Sequence, residues 1–105
     1  MEFEEKKNYL GLYRILQAKI LRLGEMMDTQ SDNAEKYLRQ RENARAIRNK
    51  IEDDIDAVDG GLLTEILSQK YICGRSLEEI AYMTNYCKRQ IERLHLKALD
   101  RLVIS

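Results

Sequence analysis

The sequence predicts an all-α chain, and three observations carry that prediction. Proline is absent from all 105 residues, glycine is confined to positions 11, 24, 60, 61 and 74, and apolar residues recur at offsets of three and four along most of the length. Without proline to remove backbone donors, and with few glycines to loosen the backbone, long helices are allowed almost everywhere. The expected organisation is a long antiparallel helical hairpin over residues 1–59, serving interaction and dimerisation, followed by a helix-turn-helix domain over 60–105.

The first helix is expected from about Glu4 to Met27. Tyr9, Tyr13, Leu16, Ile20, Leu23 and Met27 follow one another at 4, 3, 4, 3, 4, the a/d seam of a helix that wants a partner helix. Leu10, Leu12, Leu21 and Met26 lie off that seam and add apolar flank. Thr29 to Asn33 is polar, and Ser31 or Asp32 is placed to cap a second helix. That helix would carry Tyr37, Ala44, Ile47, Ile51, Ile55 and Val58 inward and stop at Gly60-Gly61. Two helices of about 25 residues, each about 37 Å long, expose much apolar surface unless something covers it. The six-residue seam therefore points to a homodimer; the competing reading folds the hairpin back on the C-terminal residues as core. Arg41, Arg45 and Arg48 form a basic row, read either as a solvated face or as a flanking phosphate contact. Asp53, Asp56 and Asp59 share a face but lack the glycine-turned loop that gathers carboxylates around a cation.

The C-terminal signals agree with one another. Leu62, Leu63, Ile66, Leu67 and Ile72 have helical spacing, and Gly74 offers a left-handed stop. Ser76-Leu77-Glu78-Glu79 is a capping box that starts a short helix, with Leu77, Ile80, Ala81 and Met83 or Thr84 on its apolar side and Ala81 small enough for a close crossing. Thr84-Asn85-Tyr86 is the expected turn, Asn85 being the residue that best tolerates positive φ after glycine. The last helix begins after Cys87. Its inward face is Ile91, Leu94, Ala98, Leu99 and Leu102, which leaves Lys88, Arg89, Glu92, Arg93, Leu96 and Lys97 outside. Cationic side chains crowd its N-terminal end, as a helix entering the major groove end-first requires.

Charge distribution points the same way. The 18 basic and 18 acidic side chains cancel overall, which argues against a nonspecific nucleic-acid coat protein. Residues 1–60 hold 11 basic and 13 acidic side chains, whereas residues 85–105 hold 5 basic and 2 acidic, so positive charge gathers on the last helix. Two cysteines and one histidine cannot build a four-ligand zinc site, and no cofactor is expected. No apolar run approaches the ~20 residues of a membrane span, and the expected compartment is the cytoplasm. There is no catalytic constellation; His95, the only histidine, is expected to lie at the surface or against a phosphate.

The stretch Leu62 to Leu102 resembles region four of bacterial sigma factors, whose second helix of the type T-R-E-R-I-R-Q-I-E-x-K-A-L-x-K-L binds the promoter's −35 element. Cys87-Lys88-Arg89-Gln90-Ile91-Glu92-Arg93-Leu94-His95-Leu96-Lys97-Ala98-Leu99-Asp100-Arg101-Leu102 aligns with it without a gap. A closer likeness is to small transcriptional regulators of Gram-positive phages and prophages, of the autolysin-regulator and late-transcription-activator type. Arg75-Ser76-Leu77-Glu78-Glu79-Ile80-Ala81 and the run from Arg89 to Leu99 carry it. The resemblance implies sequence-specific binding to double-stranded DNA, with Lys88, Arg89, Glu92 and Arg93 facing bases and phosphates, and contact with host RNA polymerase; Ser76, Gln90 and Lys97 complete the expected DNA-binding set. Glu92 departs from the usual basic residue; it either accepts from a cytosine amino group or pairs with Lys88 one turn back. Cys87 replaces the usual Ser or Thr cap, which should weaken the helix start by roughly 1 kcal/mol. Two other readings compete: a small terminase subunit, which would assemble into a larger ring, and a protein-interaction module acting on polymerase without touching DNA.

Overall fold

The computed structural model describes residues 3–105, the side chain of Ser31 excepted. The protein is all-helical, with no strand among the described residues: α1 (Phe3–Thr29), α2 (Ala34–Asp56), α3 (Gly61–Leu67), α4 (Leu77–Thr84) and α5 (Lys88–Arg101). A single 3-10 turn, Ser31–Asn33, joins α1 to α2. Asn33 is the N-cap of α2 without a side-chain hydrogen bond, so Asp32 does not fill the cap position, and the Ser31 side chain lies outside the described residues.

Cross-helix pairs set the register of α1 on α2. The Tyr9 hydroxyl donates to Asp54, that of Tyr13 donates to Glu52, and Arg48 donates to Gln17 at 2.9 Å, while Tyr37 of α2 donates to Gln30 in the connection at 3.0 Å. As numbers rise on one helix they fall on the other, so the two run in opposite directions. The buried stripe of α1 is Lys6, Leu10, Tyr13, Ile20 and Leu23. It is turned slightly from the expected seam: Leu10 is wholly inside, and Tyr9, Leu16 and Met27 are half-buried.

The main core draws on both ends of the chain. Leu10 and Tyr13 from α1, Ile51, Ile55 and Val58 from α2 and its end, Leu63, Leu67 and Tyr71, and Ala98, Leu99 and Leu102 form one cluster. Each fully buried Leu or Ile contributes about 1.5–3 kcal/mol. Two polar devices fasten α1 and α2 to the C-terminal residues. Buried Lys6 donates to the Leu99 carbonyl at 2.7 Å and to that of Asp100 at 3.4 Å, placing a cation on the carbonyls at the end of α5. Asp54 is buried and accepts from Tyr9, from Lys50 at 3.3 Å and from Ser105 at 2.6 Å. Burial alone would raise its carboxyl, but the hydrogen bonds from Ser105, Tyr9 and Lys50 prevail and hold it below the usual carboxylate range.

Two expectations for α2 are corrected. The helix ends at Asp56, short of Gly60-Gly61, because the chain tightens so that Val58 N–H donates to the Ile55 carbonyl and the Val58 side chain turns into the core. Ile47 is exposed, not inward: it sits at the rim of the α1–α2 contact, where Ala44 and Ile51 take the inner positions. Past Leu67, α3 widens into a π-type turn over Ser68–Ile72, closed by the Cys73 N–H on the Ser68 carbonyl at 3.0 Å. Gly74 then ends the run at φ 75°. That left-handed conformation favours glycine; a Cβ there would stand 2.3 Å from Arg14 Nη1, the far end of a flexible exposed side chain that can move aside.

Candidate nucleic-acid interface

The candidate interface is built by α4, a three-residue connection and α5. The Ser76 hydroxyl accepts from the Glu79 N–H at 3.1 Å while Glu79 Oε1 accepts from the Ser76 N–H at 3.2 Å, closing the capping box. Asn85 takes the left-handed conformation, φ 61° and ψ 19°, and reverses the chain. The Thr84 hydroxyl donates to the Ile80 carbonyl at 2.7 Å and helps to end α4. Ile66, Ile80, Ala81 and Ile91 form a second small core beneath the crossing, flanked by Leu62, Leu77 and Leu94. Ala81 lets α4 and α5 approach, and this fixes the direction in which the first turn of α5 projects.

On α5, Cys87 has the extended backbone of an N-cap, φ −75° and ψ 157°. Its N–H donates to Gln90 Oε1 at 3.3 Å, so the glutamine supplies the capping oxygen and its amide NH2 group remains free to donate outward. Lys88, Arg89, Gln90, Glu92, Arg93 and Lys97 are all exposed, as is Ser76, whose hydroxyl has accepted a bond but still has its own proton to give. Lys88 lies 2.9 Å from Glu78 on α4 and 3.9 Å from Glu92 one turn on. The Glu78 hydrogen bond raises the Lys88 pKa, and the same bond lowers that of Glu78. Glu92 is thus seen in the pairing with Lys88. Among the described residues no carboxylate stands within 4.0 Å of Arg89, Arg93 or Lys97, so these three cations face solvent without a counter-charge.

His95 is a correction. It is 4% exposed, facing the core four residues after Ile91, and its Nε2 lies 2.8 Å from the Tyr71 hydroxyl. Burial, with lesser contributions from the Lys70 and Lys7 charges, pushes its pKa down to about 4, so at neutral pH it is an uncharged core residue and cannot meet a phosphate. Tyr71 is raised to about 12, chiefly by burial.

The structure adds three groups to the expected set. Glu78 was legible only as part of a cap, yet it holds Lys88 across ten residues. Tyr86 lines a shallow depression with Gln90, Arg93, Leu94 and Leu62. Leu96, already expected outside, is 42% exposed between Arg93 and Lys97. The six residues expected to form the dimer seam lie elsewhere: Tyr13, Ile20 and Leu23 are buried and Tyr9, Leu16 and Met27 half-buried within this chain, leaving other faces of α1 to a second copy. No helix among the described residues is long and apolar enough to cross a membrane. No family model matches the chain, and no curated protein or solved structure shows a significant likeness to it.

Proposed function

We propose that the protein is a sequence-specific DNA-binding transcriptional regulator of phage or prophage genes. In this reading α1 and α2 are a helical hairpin, the residues from 60 onward are a sigma region-four-like helix-turn-helix, and α5 is the recognition helix in the major groove. The single observation that carries it is the uncompensated cationic face Arg89, Arg93 and Lys97 at the exposed side of a helix whose start is oriented by the Asn85 turn. Arg89 and Arg93, in the first turns, can each fork onto guanine O6 and N7, and the Gln90 amide donates beside them. Lys97 and the Ser76 hydroxyl suit phosphates on either side. Leu96 is the one apolar group on that face, of the kind that packs against a thymine methyl. A homodimer would present two such helices to half-sites about one helical turn apart, and contact with host RNA polymerase completes the proposal.

Duplexes selected from a random pool test this reading. Arg89→Ala or Arg93→Ala should cost about 1–3 kcal/mol on the selected duplex and less on random DNA, whereas Lys97→Ala should weaken both alike. Equal losses on both duplexes for all three variants would remove the base-reading assignment.

A second reading draws on α4. Tyr82 is 88% exposed, and Met83 beside it is exposed too, next to Glu78 and Glu79. An aromatic and acidic face of this kind suits a protein surface better than a phosphate backbone. A protein-interaction module without DNA contact would keep its partner when Arg89 and Arg93 are both replaced by Ala and lose it on Tyr82→Ser.

A further inference from the structure

α1 carries a second stripe that its own chain leaves uncovered. Glu5, Asn8, Leu12, Ile15, Lys19 and Arg22 follow at 3, 4, 3, 4, 3, and all six are exposed. Leu12 is 41% and Ile15 65% exposed at the centre of the stripe. The spacing reads the same from either end, and the chemistry is ordered along it: acid, amide, two apolar side chains, then two cations. Among the described residues none of Glu5, Lys19 or Arg22 has an ion-pair partner within 4.0 Å.

We propose that two copies of this chain associate through this stripe, α1 against α1 in antiparallel orientation about a two-fold axis between Leu12 and Ile15. In that register Leu12 meets Ile15 of the partner subunit, Asn8 meets Lys19 of the partner subunit, and Glu5 meets Arg22 of the partner subunit. Two-fold symmetry repeats every pair, so one palindromic stripe yields two ion pairs around an apolar centre. A parallel pairing would set Glu5 on Glu5 of the partner subunit and Arg22 on Arg22 of the partner subunit, which like-charge repulsion disfavours.

Neighbouring residues extend the apolar centre. Tyr9 bonds Asp54 and receives Lys50 at 3.0 Å, so these three mark one edge of the α1–α2 pair. Leu12 and Leu16 follow Tyr9 by three and seven residues, while Ile47 precedes Lys50 and Asp54 by three and seven; all therefore lie along that edge. Ile47 is 45% exposed there. The C-terminal helices hold a different side of α1, through Lys6 on Leu99 and Arg14 on the Ile72 carbonyl, so pairing leaves α5 free. The stripe runs about 26 Å from Glu5 to Arg22. With few large apolar groups per copy it falls short of the ~800 Å² per partner of a tight complex, so association is expected in the micromolar range.

The inference rests on the homodimer proposed above and not on DNA contact, and sedimentation equilibrium of the full chain without DNA tests it. The wild type should pass from 12.4 kDa toward twice that mass as concentration rises through the micromolar range, and Ile15→Glu should remain a monomer with unchanged helical circular dichroism. Glu5→Lys and Arg22→Glu should each weaken association about fivefold, and the Glu5→Lys/Arg22→Glu double variant should recover it. A wild type that stays monomeric, an Ile15→Glu variant that still dimerises, or a double variant as weak as the singles would overturn the proposal. Binding of the monomeric Ile15→Glu variant to a single half-site reports on α5 separately: its loss beside an intact wild-type dimer would count against the DNA reading alone.

Discussion

Lowering the pH from 7 to 5 should destabilise this protein through one buried imidazole. His95 titrates near 6.5 when exposed, whereas in the fold its pKa is pushed down to about 4 by burial, helped by the Lys70 and Lys7 charges. The unfolded chain therefore takes up a proton between pH 6.5 and 4 that the native state refuses. Stability is full above 6.5 and falls as the pH drops toward 4, since the state that binds more protons is favoured by acid. At about 1.36 kcal/mol per pKa unit the whole effect is about 3 kcal/mol, of which about 2 kcal/mol is lost by pH 5. Urea unfolding at pH 7 and pH 5, on the wild type and on His95→Gln, isolates it. Glutamine keeps a polar group toward the Tyr71 hydroxyl but does not titrate, and the acid response of Asp54 and the other carboxylates is common to both proteins. The wild type should lose about 2 kcal/mol more than the variant over this interval. Equal losses would refute the assignment of His95 as a buried neutral base.

Three further outcomes follow from the geometry around α4 and α5. Cys87→Ser should raise stability by about 1 kcal/mol, because the backbone already has cap geometry and a hydroxyl is a far better acceptor than a thiol; thermal unfolding reads this directly. Asn85→Gly should leave stability unchanged or improve it, while Asn85→Val should cost about 1–2 kcal/mol, since φ 61° is left-handed. Glu78→Gln should release Lys88, raising duplex affinity at low salt and steepening the log–log salt dependence by up to about one unit; an unchanged slope would mean that Lys88 meets no phosphate.

What was legible in the sequence is what local chemistry decides. The capping box at Ser76, the stop at Gly74, the left-handed Asn85 and the inward positions Ile91, Ala98, Leu99 and Leu102 all depend on neighbours within one or two turns. For the same reason the exposed positions Arg89, Arg93 and Lys97 could be read from periodicity alone. His95 was misplaced because histidine suits either environment, and only the approach of Tyr71, twenty-four residues away, makes a buried imidazole affordable in hydrogen bonds. Lys6 was invisible as a core residue because its acceptors, the Leu99 and Asp100 carbonyls, lie more than ninety residues away. On α1 the apolar seam was legible to within a small rotation. That Leu10 goes wholly inside while Tyr9, Leu16 and Met27 are only half-buried depended on the packing of Leu10 with Ile51, Ile55 and Leu99.

The central claim is that the exposed face of α5 meets phosphates and bases, and a salt titration of duplex binding tests it most directly. With Lys97 on a phosphate and Arg89 and Arg93 on base edges, the logarithm of the binding constant for the selected duplex should fall with the logarithm of salt concentration at a slope near about −1 per bound copy. Lys97→Ala should flatten that slope by about one unit, whereas Arg89→Ala/Arg93→Ala should weaken binding with little change in slope. Absence of duplex binding at low salt, or a slope indifferent to Lys97→Ala, would contradict the account.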